Sequence, residues 1–208
     1  LTSEQSEIHQ ALIESVGSNI TLKYPKNGEY RSAYVIANID DEPTDEAMVF
    51  YEYTSNGSEE DGLRVNILDK DEDGKWYSVK ELAGAGTDID QVIISPMGSN
   101  NQTDVFVGYQ NLTNDEKTME IYSYTDGDFK RVALDTYSVL EPLDINNDGY
   151  IELITIQRST NNDTGAVTAK ASMLNMKNNE ITRGENVDMC DNVTSYVSSK
   201  TGMLDSGR

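Results

Sequence analysis

The sequence contains a single cysteine, a single histidine and four prolines. Because there is no second cysteine, Cys190 cannot form an internal disulfide or a cysteine-based zinc site, and it is predicted to be a small buried apolar side chain. Any Ser-His-Asp or Cys-His mechanism would have to use His9, yet no nucleophile motif accompanies it. His9 is therefore predicted to be a surface or packing residue.

Positive charge is also scarce, with 16 Lys and Arg against 37 Asp and Glu in 208 residues, a formal net charge of −21. Nucleic acid and anionic lipid both need a cationic surface, so neither is an expected partner. No apolar run approaches the roughly 20 residues that cross a bilayer. Low hydrophobicity and high charge are typical of disorder, but the 12 tyrosines, three phenylalanines and one tryptophan lie in alternating segments that favour a folded chain.

One segment has the periodicity of an amphipathic helix. In residues 4–16 the apolar side chains of Ile8, Leu12 and Val16 recur every four residues, and Gly17 is placed to end the helix. The rest of the chain consists of short segments rich in Val, Ile, Tyr and Phe, bounded by Gly, Asn and Asp, which predict β-strands.

An internal repeat organises these strands. Three segments share one order: a strand, a loop rich in Asp and Asn that ends in an acid, an apolar strand, a further strand, a tight turn and a last strand. The loop-ending acids are Glu46, Asp104 and Glu152, and the turns are Asp73-Gly74, Asp126-Gly127 and Asn178-Asn179. The turns recur at intervals of 53 and 52 residues. Such dipeptides predict type I′ hairpins, in which both central residues have positive φ.

A period of about fifty residues with about four strands is typical of a propeller blade. The sequence therefore predicts an all-β fold, a partial β-propeller of about three and a half four-stranded blades with a short N-terminal helix. The predicted segments are a helical segment at 1–18 and propeller repeats at 19–208, with blades at roughly 31–82, 88–135 and 136–189 and an incomplete blade at 190–208. A β-sandwich is the alternative, although that fold has no reason to repeat an acidic loop.

The third acidic loop, residues 144–152, carries the clearest chemical signal. Its candidate cation ligands are the side chains of Asp144, Asn146, Asp148 and Glu152 and the carbonyl of Tyr150. A hard cation such as Ca²⁺ takes six to eight oxygen ligands, and it would relieve the repulsion among three carboxylates. The alternative is a metal-free loop, because Asp and Asn also build such turns by themselves.

The other acidic segments are weaker candidates. The first loop offers oxygens at Asn38, Asp40, Glu42 and Glu46, but Pro43 stands where the glycine belongs. The second loop, residues 96–104, lacks the leading acids. Residues 69–74 also look like a cation loop, but they occupy the hairpin position of the repeat and are predicted to be a solvated turn.

The acidic loop at 144–152, followed by an apolar strand and repeated at about fifty residues, resembles the FG-GAP/VCBS-type β-propeller repeats. Residues 24–33, 46–51 and 84–90 look like parts of the surface lipoproteins of gut clostridia that carry such repeats. This resemblance implies an ectodomain tethered to a Gram-positive cell through a lipidated N-terminal cysteine, which Cys190 does not match. It also implies Ca²⁺ at Asp144, Asn146, Asp148 and Glu152, and it brings no established enzymatic activity.

Three functions follow as hypotheses. The first is a non-catalytic, extracellular, calcium-stabilised propeller module that binds an unidentified protein or glycan. The second is a glycan-active enzyme that works with paired carboxylates, and the third is a purely structural spacer. Self-association through the open edge of the last blade is a further expectation, since an unpaired strand edge tends to pair with another chain.

Overall fold

A computed structural model of the protein describes residues 1–54, 62–98, 102–111, 116–177 and 179–184, together with the backbone of 187–190. Helix α1 spans Ser3–Val16. The strands are β1 (Ile20–Leu22), β2 (Tyr34–Ala37), β3 (Glu46–Tyr53), β4 (Leu63–Lys70), β5 (Trp76–Ala83), β6 (Asp88–Ser95), β7 (Asp104–Gln110), β8 (Lys117–Thr125), β9 (Asp128–Tyr137), β10 (Val139–Leu143), β11 (Glu152–Thr160), β12 (Val167–Lys177), β13 (Glu180–Arg183) and β14 (Val187–Cys190).

The N-terminal helix forms where its periodicity predicts it. A capping box begins it, since the Thr2 hydroxyl accepts from the Gln5 N–H and the Gln5 side chain accepts from the Thr2 N–H, both at 3.1 Å. Gly17 ends the helix with a φ of 84°, a value that glycine adopts without strain. Ile8 and Leu12 are fully buried, so the apolar stripe of the helix faces the core.

The strands form three antiparallel sheets, each four strands wide. In sheet 1, β1 and β2 pair with successive parts of one edge of β3, and β4 and β5 follow. Sheet 2 has the order β6-β7-β8-β9. In sheet 3, β10, β11 and β12 are followed by β13 and β14, which share the far edge of β12. The predicted all-β class is confirmed, and none of the three sheets closes on itself within the described residues.

The helix packs against sheet 1, and the three sheets stack face to face in chain order. One apolar cluster joins α1 to sheet 1, a second joins sheets 1 and 2, and a third joins sheets 2 and 3. Representative members are Leu12, Tyr34 and Trp76 in the first cluster, Met48, Phe50, Val105 and Tyr122 in the second, and Phe106, Met119, Leu153 and Leu174 in the third. In sheet 1 we count β1 and β2 together as the first strand, because they share one edge of β3. In each antiparallel sheet, the connections after the first and third strands lie at the same end, and we call this the loop end.

One of the predicted hairpin turns has a different geometry. Asp126-Gly127 is a type I′ turn as predicted, with φ values of 54° and 76°. At Asp73-Gly74 only the glycine has positive φ, and the prediction of a type I′ turn there is wrong. The Asp71 carboxylate accepts the N–H groups of Asp73 and Lys75, at 3.0 and 2.8 Å, and so holds a wider five-residue loop. Asn178, in the third turn, lies outside the described residues.

The sequence predicts one continuous last strand for the third repeat, over residues 181–187. The structure divides it into β13 and β14, which pair with different parts of β12. The predicted incomplete blade beyond Cys190 lies outside the described residues, and so does the side chain of that cysteine.

Candidate cation-binding loops

Each of the three acidic loops contains the same kind of hydrogen bond. We number the loops between the first and second strands loop 1 (residues 38–45), loop 2 (96–103, of which 99–101 are not described) and loop 3 (144–151). In each, the acid that begins the second strand accepts the N–H of the residue seven positions earlier. These bonds run from Ile39 to Glu46 (2.8 Å), from Met97 to Asp104 (2.9 Å) and from Ile145 to Glu152 (2.9 Å). The loops are therefore structurally equivalent. The apolar residue seven positions before each acid is a sequence feature that would have predicted this bond, but it was not part of the repeat described above.

Hydrogen bonds within loop 3 link its four predicted side-chain ligands, while Tyr150 takes part through its N–H, where the sequence predicts its carbonyl. The Asp148 N–H donates to Asp144 Oδ1 (3.1 Å), and the Tyr150 N–H donates to Asp148 Oδ1 (2.9 Å). The Asn146 amide donates to Asp148 Oδ2 (3.0 Å) and lies 3.5 Å from Glu152 Oε1. An amide N–H thus stands between two carboxylates, where it offsets part of their mutual repulsion.

The donor set of loop 3 fits a hard cation, because carboxylate and amide oxygens are the ligands that Ca²⁺ prefers. The loop is also internally hydrogen-bonded, as an Asx-turn loop would be. Within the described part of the chain, no group of three or more His, Cys, Asp or Glu side chains is arranged to hold a metal ion. In the structure the Asn146 Oδ1 accepts the Asp148 N–H (3.0 Å), while the amide NH2 faces the carboxylates of Asp148 and Glu152.

Loop 1 differs from loop 3 in the burial of its closing acid. Glu46 is only 1% exposed, and its Oε2 accepts the Ile39 N–H. Its other oxygen, Oε1, is buried and has no hydrogen-bond partner. The rest of the loop is tied internally, with the Asn38 amide donating to the Glu42 carbonyl (2.6 Å) and the Glu42 N–H to Asp40 (2.7 Å). A buried carboxylate oxygen without a donor is costly, and a bound cation would satisfy it.

Asp69 is a neighbour of loop 1, although its place in the repeat predicts only a solvated turn. Burial raises the pKa of Glu46 from 4.5 to about 7. The backbone N–H groups of Ile39 and Asp40 oppose this effect, and the charges of Asp40 and Asp69 add to it. Burial also raises the pKa of Asp40, and the Asp69 charge adds to that effect. Asp69 belongs to β4, so no local sequence signal connects it with loop 1, and only the pairing of β3 with β4 brings the two together.

The stability of the chain is expected to fall between pH 5 and pH 8 in a buffer with EDTA. A carboxyl group with a raised pKa holds its proton more tightly in the folded chain. Its contribution to stability is complete below the unfolded-state pKa near 4.5 and is lost as the pH rises through about 7. For Glu46 this amounts to about 3 kcal/mol. Urea unfolding at several pH values would measure it.

The matched variant is Glu46→Gln, which keeps an oxygen for the Ile39 N–H and cannot ionise. We expect this variant to lose most of the pH dependence and to be more stable than the natural chain at pH 8. An equally steep fall in both proteins would show that other groups cause it.

Loop 2 has a fully partnered acid. Asp104 is completely buried, and its Oδ2 accepts the N–H groups of Met97 (2.9 Å) and Gly98 (3.2 Å). The Ser123 hydroxyl donates to Oδ1. Burial raises the pKa of Asp104, although these three donors oppose the effect. Both oxygens of this acid are thus engaged by the chain itself, which assigns it a structural role.

Two other acids deep in sheet 2 belong to hydrogen-bonded networks that the sequence did not reveal. Asp90, 1% exposed, accepts from Asn27 (2.8 Å) and Tyr137 (2.6 Å) and pairs with Lys117 (2.9 Å). Its partners come from positions 27, 117 and 137, so no motif joins them. These contacts fasten the loop between β1 and β2 onto sheet 2.

Glu120 is the second of these acids. It is 2% exposed and pairs with Arg131 at 2.7 Å, while the Tyr122 hydroxyl donates to its other oxygen. Burial raises the pKa of Tyr122, and the hydrogen bond to Glu120 raises it further. This acid therefore has a partner on each of its oxygens.

His9 lies at the contact between α1 and sheet 1. Its Nδ1 is 2.7 Å from the hydroxyl oxygen of Tyr34, and the two rings meet edge to face. This contact agrees with the predicted packing role. Residues 71–74 form an exposed hairpin loop, as predicted, whereas the first two residues of the predicted turn, Asp69 and Lys70, are half-buried and end β4.

Comparisons of the chain with protein-family models, with curated proteins and with solved structures gave no match. The FG-GAP/VCBS resemblance therefore stays a prediction. The only helix among the described residues, α1, is too short and too polar to cross a membrane.

Proposed function

We propose that this chain is a non-catalytic binding module, made of consecutive β-propeller blades that Ca²⁺ stabilises through their acidic loops. The module is displayed outside the cell, where it binds a protein or glycan. The observation that carries the proposal is the shared loop bond, in which a strand-initiating acid holds the N–H seven residues earlier in all three sheets. Extracellular display rests on the sequence resemblance.

The residues that donate this bond support the propeller arrangement. Ile39 is 1% exposed and packs between sheets 1 and 2, and Met97 is 3% exposed and packs between sheets 2 and 3. Their counterpart in sheet 3, Ile145, is 42% exposed. In a propeller, a fourth sheet would cover this position as the second and third sheets cover the others.

Two features support the cation. In loop 3 the Asn146 amide lies within hydrogen-bonding distance of the Asp148 and Glu152 carboxylates, and the Asp144 carboxylate accepts the Asp148 N–H. Loop 1 holds the buried Glu46 oxygen that has no donor. In either loop, Asp or Glu oxygens would hold the ion, and the ion would offset their negative charge.

The roles of three of the four buried acids among the described residues support a non-catalytic module, and the fourth, Glu46, is the acid proposed above to hold the cation. Asp90, Asp104 and Glu120 each have hydrogen-bond partners on both oxygens, drawn from the surrounding strands and loops. Such groups fix the fold, and a catalytic acid needs an oxygen that can reach a substrate.

Calcium is expected to raise the melting temperature of EDTA-treated protein by about 5 °C or more at 100 times its dissociation constant. Asp148→Ala removes a ligand of loop 3, and we expect most of the rise to be lost. Asp163→Ala is the control, because this exposed acid lies in the turn after β11, at the other end of sheet 3. Calorimetry would measure binding directly.

Asn146→Asp provides the sharper variant. It replaces the amide that lies between Asp148 and Glu152 by a fourth carboxylate. Without calcium the added repulsion is expected to destabilise the chain, and with calcium the stability is expected to recover. No heat of binding in the natural chain, together with an Asn146→Asp deficit that calcium does not change, would contradict a cation in loop 3.

A further inference from the structure

A groove at the loop end is formed by loop 3 and β12 of sheet 3, together with Met97 and Gly98 of loop 2. It has a volume of about 310 Å³ and is lined by the thioether side chains of Met97, Met173 and Met176, with Asp148, Glu152 and Tyr150 at one side. Lys177 is the only basic residue among its lining residues. The groove therefore combines a polarizable apolar wall with two carboxylates.

The loop end around this groove is strongly acidic. Loop 1, loop 3 and the two described hairpins place carboxylates along it, namely Asp40, Asp41, Glu42, Asp45, Asp69, Asp71, Glu72, Asp73, Asp126, Asp128, Asp144 and Asp148. The basic residues in and beside these segments are fewer, namely Lys70, Lys75, Lys130, Lys177 and Lys80, whose ammonium pairs with Asp128 at 2.7 Å. Because the whole chain carries −21, a basic partner would be drawn to this end.

We propose that the loop end docks a basic segment of a partner protein, and that an arginine side chain of this segment fills the groove. Arginine matches both walls, since its planar guanidinium pairs with carboxylates through two parallel hydrogen bonds and its methylene stem packs against apolar surface. Methionine side chains adapt to such a stem because they are flexible and polarizable. Asp148 and Glu152 provide the carboxylates. Their oxygens already accept bonds within loop 3, but these bonds are exposed, and each carboxylate oxygen has a second lone pair that a guanidinium can reach.

This inference names the partner class of the proposed binding module, but it does not depend on calcium. Calcium and arginine draw on the same carboxylates of loop 3, so calcium is expected to weaken the docking of the basic segment. A chain that binds no calcium could still bind the arginine peptide in EDTA, which keeps the failure of one proposal distinct from the failure of the other.

The test uses a fluorescein-labelled hexa-arginine peptide and fluorescence anisotropy in EDTA at 0.15 M NaCl. Asp148→Asn should weaken binding about tenfold or more, the effect of losing a charged hydrogen bond. Asp163→Asn removes the same charge at the other end of β11, about 30 Å away, and should change binding less than about twofold. Met173→Ala should weaken binding several-fold, and an uncharged hexa-citrulline peptide should not bind.

The Asn substitution keeps an acceptor for the Tyr150 N–H, so loop 3 should stay folded, and thermal melting would verify this. Equal weakening by Asp148→Asn and Asp163→Asn would overturn the proposal, because it would reveal only general attraction between opposite charges. Equal binding of hexalysine and hexa-arginine, or no binding of either peptide, would overturn it as well.

Discussion

Replacing Asp90 by alanine is expected to lower the free energy of unfolding by about 3–5 kcal/mol, the range for removing one partner of a buried ion pair. The substitution leaves the Lys117 ammonium without its 2.9 Å partner and the buried Tyr137 hydroxyl without its 2.6 Å acceptor. It also releases the Asn27 amide, which ties the loop after β1 to sheet 2. Urea unfolding would measure the loss as a lower midpoint with an unchanged slope.

The control is Asp88→Ala, two residues earlier on the same strand. Asp88 pairs with Lys23 and Lys26 at 3.7 and 3.0 Å, and its side chain is 27% exposed. Exposed pairs contribute at most about 1 kcal/mol, so this variant should unfold close to the natural chain. Similar losses in the two variants would mean that the buried network around Asp90 does not stabilise the fold as inferred.

Gly108→Ala is expected to lower the free energy of unfolding by about 3–5 kcal/mol. This is the sum of the costs of overpacking and of losing a buried hydrogen bond. A Cβ at this position would lie 2.0 Å from the Tyr137 hydroxyl oxygen. The Tyr137 side chain is completely buried and cannot swing into solvent, so its hydroxyl must leave Asp90. Gly184→Ala is the control, since its nearest contact would be the Met173 carbonyl at an ordinary 3.4 Å.

A double-mutant cycle with Tyr137→Phe tests this cause. Tyr137→Phe alone should lower the free energy of unfolding by about 1–3 kcal/mol, because Asp90 loses a hydrogen-bond donor. In its presence the contact at 2.0 Å no longer exists, and the remaining contacts are 3.1 Å to the ring and 3.2 Å to Phe106. Gly108→Ala should then cost much less than it does in the natural chain. Additive losses would exclude the clash with the hydroxyl as the reason.

Local patterns in the sequence predicted most of the strands and the loops between them. The helix follows from the spacing of Ile8 and Leu12, and the acids Glu46, Asp104 and Glu152 each begin the second strand of a sheet. These features depend on residues within about ten positions of one another. The same locality explains the error at Asp73-Gly74, where the Asp71 side chain widens the turn and the dipeptide alone does not determine its type.

The residues of the candidate sites were harder to predict than the strands, because some of them meet only through the order and register of the strands. Loop 3 was identified from its own residues, because all of its ligands lie within nine positions. The charge of Asp69 next to Glu46 could not be identified in this way, since it needs the register between β3 and β4. The burial of Glu46, which leaves one oxygen without a donor, also follows from tertiary packing and not from its loop sequence.

The sequence by itself determined an all-β chain with one N-terminal helix, three copies of a four-stranded unit and an acid at the start of each second strand. These depend on side-chain periodicity and turn chemistry, which act between near neighbours. Only the tertiary structure decided which acids are buried and with what they pair, as Asp90 does with residues from three distant segments. The physical reason is that burial and pairing arise where sheets stack, and the faces that meet are set by the whole fold.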